Sequence, residues 1–233
     1  MTHLATTALP TGGRRIPVGS TKDDRSGARE HAEDWQTDSP TLCAGAWLFR
    51  RRSWVPLPVP IALLTLSGGE AGAPWFAYPG GALLVAVGVG LRLWAVRYIG
   101  PISRTRESEI GRLIVDGPYS LVRNPLYFGN FLLWSGLTSL AALPCLLPAV
   151  WAFLAFEYHC IVLWEEACLA RRFGRTYQRY LDGVRRWIPD LRCTKSALRS
   201  RRCYSWTDSL HSEHDTLLML AIMLTLLWLK GGT

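Results

Sequence analysis

The sequence has no C-x-x-C pair, and its cysteines follow no spacing that recurs in zinc sites or disulfide frameworks. The six cysteines are Cys43, Cys145, Cys160, Cys168, Cys193 and Cys203. Several fall inside apolar blocks, where a reduced thiol behaves as a small hydrophobic side chain. We therefore expect no bound metal and no redox chemistry.

The first 40 residues lack any long apolar stretch, so they do not have the charged start and apolar run of a secretory signal peptide. They contain five basic and six acidic residues, and they therefore cannot supply the net charge of +8 that the chain carries. We predict that residues 1–45 form a disordered polar tail.

Hydrophobic residues make up 49% of the chain and gather into blocks, most of them nearly long enough to cross a hydrocarbon core of roughly 30 Å. The blocks cover residues 54–66, 75–96, 126–143, 145–164 and 217–229. This pattern predicts an all-α fold, a polytopic transmembrane helical bundle of about five spans. Residues 46–203 would form the membrane core, and residues 204–233 would form a C-terminal apolar helix. The first block is short and proline-rich, so four spans with one interfacial helix is the alternative.

Basic residues are missing from segments 67–74 and 143–144, whereas segment 165–202 has eleven basic and four acidic residues. Basic loops stay on the cytoplasmic side of a membrane. The triplet at 50–52 and the segments 97–123 and 165–202 are therefore predicted to be cytoplasmic. We expect an integral protein of the cytoplasmic membrane, if the source is bacterial, with its active site facing the cytosol.

The third and fourth blocks are separated by little more than Leu143 and Pro144, which predicts a tight antiparallel hairpin. Arg123 before the hairpin and the pair Glu165 and Glu166 after it should therefore lie close together. Acidic residues at membrane depth are costly unless they have partners. They could simply form salt bridges or be solvated, or one glutamate could bind the ammonium of a zwitterionic ligand while Arg123 binds its carboxylate.

Two motifs bracket this hairpin: G-P-Y-S-L-V-R-N-P-L-Y-F-G-N at residues 117–130 and E-E-x-x-L-x-x-x-F-G-x-x-Y-x-x-Y at residues 165–180, followed by Ile188-Pro189. Each piece is weak alone, but together, at this separation, they are specific. The region from about Val85 to Pro189 resembles the isoprenylcysteine carboxyl methyltransferase and phospholipid methyltransferase superfamily.

The resemblance implies a helical membrane methyltransferase that holds S-adenosyl-L-methionine at the cytoplasmic ends of the hairpin and in the C-terminal segment after it. It implies catalytic roles for Arg123 and Glu166. It assigns cofactor binding to Tyr119, Arg123, Asn124, Pro125, Tyr127, Gly129, Glu165 and Glu166. The family usually has His where this chain has Asn124, and asparagine can hydrogen-bond but cannot carry a proton.

The expected function is methylation of a lipophilic or lipid-anchored acceptor, with prenylated cysteine O-methylation as the prototype. The alternatives are a phospholipid N-methyltransferase, an NADPH-dependent reductase of the steroid-reductase type, and a scaffold without turnover. Arginines interleave with Phe173, Tyr177 and Tyr180 in a predicted amphipathic helix. We assign this basic and aromatic pattern to the lipid bilayer rather than to nucleic acid.

Overall fold

The computed structural model describes residues 40–66, 75–100, 113–190, 192, 197 and 204–231. The predicted all-α fold is confirmed, since these residues contain helices and no strand. The helices are α1 (Pro40–Arg51), α2 (Pro58–Thr65), α3 (Ala77–Ile99), α4 (Pro125–Leu140), α5 (Leu147–Gly183), α6 (Trp206–Ser212) and α7 (His214–Gly231). Most of the predicted tail lies outside the described residues, but its last six residues, 40–45, belong to α1.

Five spans are not confirmed. In the part of the chain that the structure describes, α3 and the helical stretch Pro144–Gly183 are long and apolar enough to cross a membrane. The pair Trp206–Ser212 and His214–Lys230, bent by 62°, adds a third if it forms one span. The helix α2 has only 8 residues, because prolines crowd its start, and α4 has 16 residues, or about 24 Å. The helices nevertheless fit an integral membrane protein.

Glycines join α3 to α4. A Cβ added at Gly81 would lie 2.9 Å from the carbonyl oxygen of Gly136, and one added at Gly88 would lie 2.7 Å from that of Gly129. Both pairs are seven residues apart on each helix, so they mark one antiparallel contact face. Small residues let helix backbones approach closely in lipid, and these four glycines therefore allow the close contact between α3 and α4.

The hairpin between α4 and α5 has the predicted tight connection, with Ala142 at φ 58° and a 3₁₀ turn at Pro144–Leu146. The basic and aromatic stretch is helical, as predicted, but it continues the helix of the fourth apolar block: α5 has 37 residues and does not end near Trp164. Gly174 interrupts α5 with φ 49° and ψ −127°. Only glycine adopts this conformation readily, so the helix changes direction there.

The C-terminal helices begin at a local cap and end in a contact with α2. Ser205 begins α6 with a capping box, because its hydroxyl accepts from the Asp208 amide and its own amide donates to the Asp208 carboxylate. At the far end of α7, the Lys230 ammonium donates to the carbonyl oxygens of Leu63, at 2.8 Å, and Leu66, which terminate α2. The helix α7 therefore packs beside α2.

Candidate functional site

A glycine and two prolines fold the segment before α4. Gly117 has φ 61° and lies against the ring of Tyr98, in a space that a side chain could not share. A 3₁₀ turn at Gly117–Ser120 follows, and Pro125 then starts α4, where its missing amide proton costs nothing. Arg123 is thereby held directly before the helix.

The hairpin brings Arg123 and Glu166 together, as the sequence predicts. Arg123 Nη1 donates to Glu166 Oε1 at 3.0 Å, and both side chains are largely buried. Glu166 has a second cationic partner, Arg186, whose Nε donates to Oε1 at 3.0 Å and whose Nη2 donates to Oε2 at 2.6 Å. One carboxylate thus binds two guanidinium groups, and Arg186 was not among the predicted site residues.

The neighbouring acid has a neutral hydrogen-bond partner. The Tyr127 hydroxyl donates to Glu165 Oε1 at 3.0 Å. The Tyr127 ring in turn packs on the ring of Tyr158, with their centroids 4.9 Å apart. Tyr127 and Glu165, which the resemblance assigns to one site, are therefore in direct contact.

The segment 184–190 runs along the residues that precede α4 and places Arg186 beside Glu166. The Arg123 amide donates to the Arg185 carbonyl at 2.9 Å, and the Asp190 amide donates to the Leu121 carbonyl at 2.9 Å. The side-chain amide of Asn124 donates to the Arg186 carbonyl at 3.2 Å. Asn124 therefore acts as a neutral hydrogen-bond donor here. An asparagine can replace a histidine as a donor, but it cannot carry the positive charge of an imidazolium.

Two buried polar atoms near this cluster have no hydrogen-bond partner among the described residues: the Tyr119 hydroxyl oxygen and Arg123 Nε. The Tyr119 backbone is fixed, because the Tyr180 hydroxyl donates to its carbonyl at 2.7 Å. Burial, followed by the nearby Tyr180 and the charge of Glu165, raises the pKa of Tyr119 well above its ordinary value, so its hydroxyl stays a donor. One N–H group and one O–H group at this site are therefore without an acceptor in the part of the chain that the structure describes.

Gly129 lies on another face from the Arg123 cluster. A Cβ added there would lie 2.8 Å from Arg92 Cγ and 3.0 Å from the carbonyl oxygen of Gly88, so its open side is already filled by α3. Arg92 belongs to a second polar cluster. It donates to Asn130 and, through Nε at 3.0 Å and Nη2 at 2.7 Å, to Glu213.

A shallow groove of about 130 Å³ lies between α1 and α5, on a face of α5 next to the glutamate pair. Its lining includes Cys43, Trp164, Cys168 and Arg171, and it contains neither Arg123 nor Glu166. The Arg123, Glu166 and Arg186 side chains instead fill the space between their own segments with hydrogen bonds. A ligand of these groups would therefore have to displace or extend existing contacts.

Comparison with known proteins finds similarity in the middle of the chain. Residues 76–176 match the phospholipid methyltransferase family. A probable protein-S-isoprenylcysteine O-methyltransferase of Oryza sativa subsp. indica is 28% identical over 120 residues, which are 49% of this chain and 62% of the relative. Protein-S-isoprenylcysteine O-methyltransferase B of Arabidopsis thaliana is 30% identical over 124 residues, covering 49% and 60% respectively.

The matches therefore span less than two thirds of the length of these relatives. No solved structure matches the chain significantly. Both kinds of match nevertheless point to one group of proteins, and the family match covers the first site motif and most of the second. The resemblance to the isoprenylcysteine carboxyl methyltransferase and phospholipid methyltransferase superfamily is confirmed, and the matches support a methyltransferase.

Proposed function

From the confirmed similarity of residues 76–176 to this methyltransferase superfamily, we propose that the protein is an S-adenosyl-L-methionine-dependent methyltransferase. Its acceptor is a lipophilic or lipid-anchored molecule that is methylated at the cytoplasmic face of the membrane. Isoprenylcysteine carboxyl O-methylation is the prototype, because the relatives carry that name. Arg123 and Glu166 are the residues on which activity should depend most.

The observation that carries the proposal is the pairing of Arg123 with Glu166 beside the contact between Tyr127 and Glu165. All four residues come from the two motifs of the resemblance, and the hairpin assembles them from positions about 40 residues apart in sequence. A cation and two carboxylates within one cluster suit a zwitterionic amino-acid head.

The residues present fit the methionine part of this cofactor. Arg123 Nε is a buried donor without an acceptor among the described residues, and the Tyr119 hydroxyl is another. A bound ligand with anionic and hydroxyl oxygens would satisfy both, whereas unsatisfied buried donors are otherwise costly. When bound, S-adenosyl-L-methionine supplies a methyl group already activated on a sulfonium sulfur. The tasks left to the protein are to hold and align the reactants and to keep water out.

Phospholipid N-methylation is a second candidate, since the family that matches residues 76–176 is the phospholipid methyltransferase family. A carboxylate acceptor needs no general base, whereas an ammonium must first lose a proton. Asn124 occupies the position where the resemblance usually has His, and it cannot take that proton. This residue favours an acceptor that is already a nucleophile.

Calorimetric titration of the purified full chain in detergent with S-adenosylhomocysteine tests the cofactor. We expect binding by the wild type and a loss of about ten- to hundred-fold in affinity for Arg123→Ala, because hydrogen bonds to charged groups contribute about 1.5–3 kcal/mol. Arg179→Ala, an exposed arginine of α5, is the charge-matched control and should bind as wild type. No binding by the wild type would refute the proposal.

The acceptor is tested by incubating the purified enzyme with isotope-labelled S-adenosyl-L-methionine and one of two acceptors. The first is a farnesylated cysteine with a free carboxylate, and the second is phosphatidylethanolamine in vesicles. Mass spectrometry of the products should show a methyl ester on the first and no N-methyl group on the second. N-methylation alone would replace the O-methyl proposal. Oxidation of NADPH without methyl incorporation would favour the reductase instead.

A further inference from the structure

The two adjacent glutamates of the site have unlike surroundings. Glu166 accepts hydrogen bonds from two guanidinium groups, those of Arg123 and Arg186. Glu165 accepts from the neutral hydroxyl of Tyr127, and Arg52 also acts on it electrostatically. The cluster around Glu166 therefore carries two positive charges against one negative charge.

These surroundings decide which acid can bind a cation. An ammonium brought to Glu166 would lie close to two guanidinium groups, which repel it, and Glu166 has already given lone pairs to both. Glu165 gives one of its oxygens to a phenol and has acceptor capacity left. The ammonium of an amino-acid head should therefore bind Glu165.

The same cluster favours an anion beside the two arginines. Arg123 Nε is buried and has no acceptor among the described residues, although its Nη1 is bound to Glu166. Arg186 uses Nε and Nη2 for Glu166, and its side chain remains 31% exposed. A guanidinium has five N–H donors, so both groups can take a second carboxylate without releasing the first.

Arg186 is fixed in this position by its backbone. The segment 184–190 is tied to the start of α4 by the hydrogen bonds from the Arg123 amide, the Asn124 side chain and the Asp190 amide. A flexible surface arginine would lose much of its binding energy to ordering, whereas a fixed one does not. The backbone of Arg186 is therefore held in place beside the site.

We infer that Arg186 and Arg123 together form the carboxylate-binding side of the site, that Glu166 is a positioning residue that holds both guanidinium groups, and that Glu165 receives the ammonium. This assignment rests on the proposed function, because it names how the amino-acid head of the cofactor is held. It divides the two glutamates into one ligand-binding group and one supporting group.

Three ligands separate these roles by calorimetry on the full chain in detergent: S-adenosylhomocysteine, its decarboxylated analogue and its deaminated analogue. Arg186→Ala should lower the affinity for S-adenosylhomocysteine about ten- to hundred-fold. It should bind the decarboxylated analogue with the same affinity as wild type. Glu165→Gln should lower the affinity for S-adenosylhomocysteine to a similar degree and leave the affinity for the deaminated analogue unchanged.

Glu166→Gln tests the positioning role. It should lower the affinity for S-adenosylhomocysteine and for the deaminated analogue, but not for the decarboxylated analogue. Glu166→Asp should recover part of the lost affinity. Damage to the fold would weaken all three ligands together, so the pattern separates positioning from instability. Arg186→Lys, which keeps the charge, should bind S-adenosylhomocysteine with an affinity between those of wild type and Arg186→Ala.

The control is Arg185→Ala, because Arg185 is the exposed neighbour of Arg186 in the same segment, and it should bind all three ligands as wild type. If wild type binds S-adenosylhomocysteine and Arg186→Ala binds it equally well, the inference is overturned while the proposed function stands. The same follows if Glu165→Gln weakens the deaminated analogue as much as the parent. Failure of the wild type to bind would overturn both.

Discussion

At the scale of single residues, the hydroxyls of Tyr119 and Tyr180 differ in their hydrogen bonding. The Tyr119 hydroxyl is buried without a partner among the described residues, whereas the Tyr180 hydroxyl donates to the Tyr119 carbonyl. We predict that Tyr119→Phe raises the free energy of unfolding by about 1 kcal/mol, because an unsatisfied buried group is removed. The same change should weaken S-adenosylhomocysteine, and thermal unfolding with calorimetry measures both effects.

Tyr180→Phe is the counterpart and should act the other way on stability. Loss of its hydrogen bond should lower the free energy of unfolding by about 0.5–1.5 kcal/mol. If Tyr119→Phe lowered stability and left ligand affinity unchanged, its hydroxyl would have a partner that the ligand does not supply.

Asn124 offers a substitution toward the residue usual in the family. Its side chain donates to the Arg186 carbonyl, and an imidazole N–H can make the same bond. We predict that Asn124→His binds S-adenosylhomocysteine as wild type does, and that Asn124→Ala binds it about two- to ten-fold more weakly, as expected for one lost hydrogen bond. Equal affinities for all three proteins would show that this contact does not hold Arg186.

The sequence was sufficient for the pairing of Arg123 with Glu166, because a short connection between two apolar helices makes them antiparallel and brings their other ends together. It was not sufficient for Arg186. That residue is one of eleven basic residues in segment 165–202, and its position depends on hydrogen bonds to backbone carbonyls, which the pattern of basic residues does not encode. Individual ion pairs on irregular segments need coordinates.

The contact between α3 and α4 gives a test at the scale of elements. A Cβ at Gly88 would lie 2.7 Å from the Gly129 carbonyl oxygen and 2.9 Å from the Leu133 amide nitrogen, and neither backbone atom can move aside. We predict that Gly88→Ala lowers the free energy of unfolding by about 1–3 kcal/mol, as overpacking does. The midpoint of thermal unfolding in detergent measures this.

Gly90 is the matched control on the same helix, since an added Cβ there would meet nothing within 4 Å. Gly90→Ala should leave stability unchanged or raise it by about 0.5–1 kcal/mol, because alanine loses less backbone entropy in a helix. Equal destabilisation by both substitutions would contradict the close packing of α3 on α4.

Helix lengths were harder to predict than helix positions. The polar and basic residues after Trp164 indicated that the fourth span ends, but they keep the helical conformation and α5 runs on to Gly183. Hydropathy reports where a helix leaves lipid, and it does not report where the helix stops. The helix α1 was absent from the prediction for a related reason, as it is short and lies next to a polar tail.

At the scale of the whole molecule, one buried ion pair attaches the C-terminal helices to the bundle. Arg92 of α3 binds Glu213, between α6 and α7, and both side chains are nearly inaccessible to solvent. We predict that Glu213→Gln and Arg92→Met each cost about 3–5 kcal/mol of stability, because each leaves a buried charge or donor without its partner. Thermal unfolding and the rate of proteolysis near Ser212 measure the loss.

The double variant Arg92→Met with Glu213→Gln completes the cycle. It should be less destabilised than the sum of the two single changes, because no charge is then stranded. Strict additivity would mean that the two side chains act independently, and that their ion pair does not hold α7 in place.

The bond from Lys230 to the end of α2 sets an order of events during biosynthesis. Leu66 precedes Lys230 by 164 residues, so a ribosome that adds about 5–20 residues per second emits this lysine roughly 10–30 s after α2. Through that interval the last carbonyls of α2 are without the ammonium that later satisfies them. The short second helix should consequently reach its final position only after translation of the last helix, making assembly of this region a late step.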